Sequence, residues 1–193
     1  MAAIREDQEY GGQRITLTAL VDRAKIHVQI DIGFGDVVTP AALEITYPPL
    51  LDFPAPHLQA YTKESVVAEK LHAIVVLGMA NSRMKDFHDL WTIAQAFEFD
   101  RALLIEAVRA TFARRQTEIP KRFPLGLTRE FADYEPHAVQ WKSFLMRSNI
   151  AEDAVSLHEV IQEICRFVAP ALSAGDGEDT GQPSHWAWRT GWV

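Results

Sequence analysis

The sequence predicts an α+β fold, with a partial antiparallel sheet at the front and a helical bundle behind it. Two observations carry this. Up to about residue 60 apolar side chains recur at every second position, and from Tyr61 the period lengthens to that of a helix. The links between the early strands are short, which favours antiparallel pairing. The chain divides accordingly into a sheet region, 1–60, a helical region, 61–172, and a tail, 173–193, expected to lack order.

Residues 14 to 20 alternate as a half-buried strand does. Residues 25 to 32 alternate strictly, with Ile26, Val28, Ile30 and Ile32 on one face and Lys25, His27, Gln29 and Asp31 on the other. Gly33 and Gly35 end this strand. A shorter third strand is expected from Ala42 to Tyr47, stopped by Pro48 and Pro49 and continuing the same meander. The first helix starts at an N-cap, Thr62 or Ser65, and runs to about Met79 with Val66, Val67, Leu71, Ile74 and Leu77 as its apolar stripe. Asn81 and Ser82 break it. Further helices are expected over about 84–97, 101–114, 136–146 and 154–167, with Pro170 closing the last. The tail is rich in Gly, Asp, Ser and Thr, and then carries Trp186, Trp188 and Trp192.

Composition excludes several classes. The chain has 193 residues, 48% of them hydrophobic, a proportion ordinary for a globular protein. No apolar run approaches the roughly 20 residues that span a bilayer, and the charged N-terminal residues Arg5, Glu6, Asp7 and Glu9 do not resemble a secretory signal. Cys165 is the single cysteine, so no disulfide forms within the chain, as suits a reducing compartment. The net charge of −7 argues against nucleic-acid binding by bulk charge. Any such contact would need a local patch. Arg109, Arg114, Arg115, Lys121 and Arg122 offer one, although a solvated helix face followed by a basic loop fits the same residues.

Three positions invite chemistry. Asp31 sits between Ile30 and Ile32, which would hold its carboxylate rigidly, as a metal ligand requires; a polar residue on the solvent face of a strand has the same pattern. Lys70 falls between Val66 and Ile74, inside an apolar stripe, whereas Glu69 points to the polar side. Asp86 lies within the apolar arc of the next helix, formed by Phe87, Leu90, Ile93, Ala94 and Phe97, and Asp89 lies near its edge. A lysine and an aspartate placed this way on consecutive, closely linked helices predict a pair. That pair is either a functional site or a salt bridge that orients two helices, and buried ion pairs contribute little net stability.

These residues resemble a known family. Ala68-Glu69-Lys70-Leu71-His72-Ala73, followed by Asn81-Ser82-Arg83-Met84-Lys85-Asp86-Phe87-His88-Asp89-Leu90, is similar to the late motifs of the AbiEii/AbiGii toxins, nucleotidyltransferases of the polymerase β-like superfamily. Val28 to Gly33 resembles the family's later carboxylate strand, and the similarity extends from about Ile4 to Leu172. The resemblance implies a nucleotidyltransferase-type sheet and a cytoplasmic, Mg²⁺-dependent toxin of a phage-defence toxin–antitoxin system. It would transfer a nucleoside monophosphate from an NTP to an acceptor such as tRNA, with a cognate antitoxin as partner. By residue, it implies Asp31 as a metal carboxylate, Lys70 on the triphosphate and Asp86 as a catalytic or orienting acid. Arg83 and Lys85 would add positive charge near the phosphates, and Glu69 and Asp89 would support them.

The superfamily also carries a Gly-Gly or Gly-Ser turn followed by Asp-x-Asp, which holds phosphate and metal. Gly11-Gly12 has no Asp-x-Asp after it, and no other segment fits. The chain is therefore expected to be N-terminally truncated relative to the family pattern, to leave a sheet edge open, and to be nearly inactive alone. The alternative expectation is a non-catalytic module that binds RNA or an antitoxin.

Overall fold

The alternating residues near the N-terminus form a hairpin because their two-residue turn is pinned by Asp22, at φ 53°, a left-handed conformation that Asp tolerates. β2 (Gly12–Val21) pairs antiparallel with β3 (Ala24–Gly33), and the short β1 (Ala2–Ala3) adds to the outer side of β2. The register puts Ile15 opposite Ile30, Leu17 opposite Val28 and Ala19 opposite Ile26, while Arg14 faces Asp31 and Thr18 faces His27 on the other side. The expected half-burial is not met. Ile26, Val28 and Ile30 are 47%, 39% and 43% exposed, because no described residue covers the apolar face.

A computed structural model describes residues 2–3, 12–33, 38–151, 155–173 and 183–193. The chain falls into two units, Met1–Val37, which contains the hairpin, and Val38–Val193. The expected third strand belongs to the second unit. β4 (Leu43–Thr46) does not extend the hairpin into a meander but pairs antiparallel with β5 (His57–Ala60), an element the proline-rich sequence hid.

The helices carry the core. They are α1 (Lys63–Leu77), α2 (Met84–Ala96), α3 (Arg101–Arg114), the short α4 (Arg129–Asp133), α5 (Glu135–Arg147) and α6 (Leu157–Ser173); β6 (Phe99–Asp100) lies between α2 and α3. α1 packs on α3 and α2, and α6 packs on α2, α3 and α4. Leu71, Ile74, Phe87, Leu90, Leu104, Phe112, Ile164 and Phe167 are all essentially inaccessible at their centre. None of the described helices is long and apolar enough to cross a membrane.

Local signals explain the helix ends. Thr62 caps α1 by accepting a hydrogen bond from the Ser65 N–H at 3.2 Å. Asp100 caps α3 through the Leu103 N–H at 3.0 Å. α6 begins at Leu157, later than expected, because Ser156 and Glu159 form a reciprocal capping box: Glu159 accepts from the Ser156 N–H at 2.8 Å and the Ser156 hydroxyl accepts from the Glu159 N–H at 3.2 Å. Pro170 does not close the helix. α6 continues to Ser173 because Ala171 and Leu172 are buried, and that burial outweighs the one missing N–H donor.

The tail departs most from expectation. Residues 174–182 lie outside the described residues, but 183–193 form a hairpin of β7 (His185–Ala187) and β8 (Gly191–Trp192), with β7 pairing to β6. Trp186 is fully buried and its indole N–H donates to the Ala94 carbonyl at 2.8 Å. Trp192 donates to the Phe167 carbonyl at 3.0 Å. Composition suggested disorder, but aromatic burial of this size overrides it.

The turn Leu125–Leu127 packs against α1 so closely that a Cβ on Gly126 would lie 2.8 Å from Ile74 Cγ2 and 3.1 Å from the Ile74 carbonyl oxygen. Gly126→Ala is therefore expected to destabilise the chain by about 1–3 kcal/mol, read as a lower urea midpoint with an unchanged slope. An unshifted midpoint would contradict this packing.

Candidate functional site

α1 and α2 are joined by a tight connection. Gly78 takes φ 48°, the turn Gly78–Ala80 follows, and the buried Asn81 accepts the Arg83 N–H at 2.9 Å just before α2. This brings the middle of α1 against the first turns of α2. The buried side of α1 is set by Val67, Ala68, Leu71 and Ile74, rotated slightly from the expected stripe, so that Val66 is only half-buried and Leu77 exposed. Lys70 thus stands at the margin of the interface, with its side chain 18% exposed.

There it meets both expected acids. Lys70 Nζ donates to Asp86 Oδ1 at 2.9 Å and to Asp89 Oδ2 at 2.7 Å. Asp86 is buried, and its other oxygen, Oδ2, lies 2.7 Å from Arg83 Nε as an ion pair that is not aligned for a hydrogen bond. Asp89 also accepts from Lys85 Nζ at 2.5 Å. Five of the sequence-identified residues therefore form one network of three cations and two carboxylates. Glu69, expected as a support, faces elsewhere and accepts from Arg115 at 2.6 Å. Arg115, a member of the basic stretch, is thus engaged within the fold.

Burial alone would pull the Lys70 ammonium down, but the hydrogen bonds and charges of Asp89 and Asp86 outweigh it and hold the group above its ordinary 10.5. Burial would likewise raise Asp89, yet Lys70 and Lys85 bring it below its ordinary 3.8. Elsewhere on α1, His72 is lowered to about 4 by burial and by the Arg115 charge, so its imidazole is neutral at pH 7. It lies 2.9 Å from the Thr117 hydroxyl. Cys165 is raised to about 11 by burial, so it stays a protonated thiol.

The network opens onto a cleft of about 470 Å³ between the start of α2, Ser82 to Asp86, and one face of α5, where Gln140, Phe144 and Arg147 line it. The sequence reading missed these three. Their i, i+4, i+7 spacing on α5 was the available signal. Asp31 belongs to the hairpin unit. Both its oxygens accept from Arg14, Oδ1 from Nε at 2.7 Å and Oδ2 from Nη2 at 2.8 Å, and Gln29 adds a bond to Oδ2 at 3.2 Å. Arg14 holds the Asp31 carboxyl below the usual range.

A family model described as the nucleotidyl transferase AbiEii toxin of type IV toxin–antitoxin systems matches residues 1–172. The chain belongs to the AbiEii family. No curated protein and no solved structure matches it.

As an AbiEii-family chain it falls among nucleotidyl transferases, enzymes that typically use a divalent metal. Its described residues do not fit such an ion. Asp31 already gives both oxygens to Arg14, and among the described residues no three His, Cys, Asp or Glu side chains converge as a ligand set.

The electrostatics give a pH test. Asp89 has a lower pKa folded than unfolded, so its stabilisation is complete above its ordinary 3.8 and is lost as pH falls through the lower folded value. Lys70 has a higher one, so its stabilisation is complete below its ordinary 10.5 and is lost as pH rises through the folded value. Lys70→Met is expected to cost about 3 kcal/mol at pH 7 by leaving two carboxylates without their shared cation. The deficit should be flat across the plateau between those two values and shrink outside it. Urea unfolding over a pH series measures this, and a pH-independent deficit would rule out the network as its origin.

Proposed function

We propose that this chain supplies the helical side of a nucleotidyl-transfer site, which moves a nucleoside monophosphate from an NTP to a hydroxyl of an RNA acceptor such as tRNA, under control of a cognate antitoxin. One observation carries the reading. The Lys70 ammonium is kept charged at an otherwise apolar helix interface, between Asp86 and Asp89, and Asp86, its partner, lines an open cleft. A compact permanent cation at that place suits the oxygens of a triphosphate.

In this reading the acceptor oxygen attacks the α-phosphorus, the bond to the bridging oxygen of the β-phosphate breaks, and pyrophosphate leaves. Lys70 offsets the charge on the phosphates. Asp86 orients the attacking hydroxyl or takes its proton. Arg83 and Lys85 extend the positive field, while Asp89 holds Lys70 and Lys85, and Glu69 steadies α1 through Arg115. Asp31, the carboxylate that the family resemblance assigns to Mg²⁺, would have to give up Arg14 before it could hold an ion. The Gly-Gly or Gly-Ser turn with Asp-x-Asp is not in residues 1–193, and turnover in this reading depends on that element being supplied. The Arg14–Asp31 pair favours a second reading, a non-catalytic module that binds RNA or the antitoxin, because it occupies the carboxylate assigned to metal.

The test is transfer of label from α-labelled NTPs to tRNA with Mg²⁺. The chain alone is expected to give background labelling. Adding a front segment of an AbiEii relative that bears Asp-x-Asp is expected to produce labelling, reduced about 100-fold or more by Lys70→Ala or by Asp86→Ala. Strong labelling by the chain alone would remove the dependence on that segment. Labelling that is indifferent to both substitutions would sink the site assignment, and none in either arm would leave the binding module.

A further inference from the structure

β3 is an edge strand without the usual defences. The strand order β1-β2-β3 puts it at the end of its sheet, and among the described residues no strand pairs with its outer side. It runs over Ala24–Gly33 in unbroken register with β2, without a proline or a bulge. Ile26, Val28 and Ile30 stand exposed along it. A long, regular, apolar edge is a template for another strand, because its outward N–H and C=O groups still need partners.

The order of side chains says which strand fits. In antiparallel pairing, directly opposite residues share a face, so an apolar row must meet an apolar row. A second copy of β3 meets this condition about a two-fold axis through Val28. Val28 then faces Val28 of the second copy, Ile26 faces Ile30, His27 faces Gln29, and Lys25 faces Asp31. Lys25 and Asp31 are the one basic residue of the Lys/Arg type and the one carboxylate in β3, and the axis pairs them twice. A shift of one residue would set Val28 against Gln29 or His27 and mix the faces. A shift of two would keep the faces but lose both Lys25–Asp31 pairs. The charge order thus singles out the strand's own copy as its complement.

We propose that two copies of this chain associate through β3, forming one continuous antiparallel sheet with Val28 on the two-fold axis. The cross-strand contacts cover the flanks of Ile26, Val28 and Ile30. The pairing also bears on Asp31. Arg14 already gives it two hydrogen bonds from β2, and Lys25 of the second copy adds a cation from the other side. The paired form thereby sets this carboxylate between two cations, which disfavours a metal ion there. The hairpin unit alone carries the proposal, so it goes beyond the transfer reading and neither needs nor tests it.

Sedimentation equilibrium of the full 193-residue chain tests association, and introduced cysteines test the register. The mass of two chains is expected in the micromolar range, and a single-chain mass throughout that range would overturn the proposal. Val28→Lys puts like charges on the axis and should weaken association about 10-fold or more. Leu17→Lys, on the inner strand, should leave it nearly unchanged. Both positions are exposed, and an unchanged far-ultraviolet circular dichroism spectrum shows that each variant is folded. The cysteines are placed in a Cys165→Ser background, which keeps a donor for the Leu127 carbonyl. Under mild oxidation Val28→Cys should cross-link to itself. Ile26→Cys and Ile30→Cys should each remain single chains, yet cross-link when the two are mixed. Association that persists in Val28→Lys would place the interface elsewhere and overturn the proposal, as would Ile26→Cys cross-linking to itself as readily as Val28→Cys does.

Discussion

A lysine held between two aspartates at the meeting of α1 and α2 sets the terms for the rest of the helical unit. A charge at such an interface is tolerated only if opposite charges reach it with good geometry. That requirement fixes how far α2 is offset along α1, which the tight Gly78–Asn81 connection permits. The same offset leaves the first turn of α2 facing α5 across an open cleft instead of filling it. Apolar residues in place of Lys70, Asp86 and Asp89 together would pack about as stably, so the retained charges are better explained by what they can bind than by what they hold together.

Much of this was legible in advance because charge inside an amphipathic pattern is a strong anomaly. Lys70 and Asp86 broke the periodicity of their helices, and the structure pairs them. Thr62 and the third helix followed local rules and appear where those rules place them. The failures have physical causes too. β5 was hidden because its pairing with β4 is non-local and short. Alternation in β3 signalled two faces correctly but could not say that the apolar one goes uncovered by described residues. The tail was misjudged because composition ranks polar spacers above two tryptophans, whereas burial energy ranks them in reverse.

The candidate site shows the same division. The sequence pointed to the residues that contradict their surroundings. It passed over Gln140, Phe144 and Arg147, each unremarkable on an exposed helix face, because their significance arises only when α2 stands opposite. Asp31 is the converse case. Its position on the strand was right, but the cross-strand register delivers Arg14 to it, and register is not written in either strand alone.

The family pattern ends at Leu172, within α6, while the core does not. Trp186 and Trp192 close over Phe167 and the end of α2 from beyond that point. A family boundary drawn from shared motifs thus differs here from the boundary of the cooperative folding unit. Hybrids between this chain and its relatives should exchange α6 together with the terminal hairpin, since a junction at residue 172 would separate two tryptophans from the aromatic floor shaped to receive them.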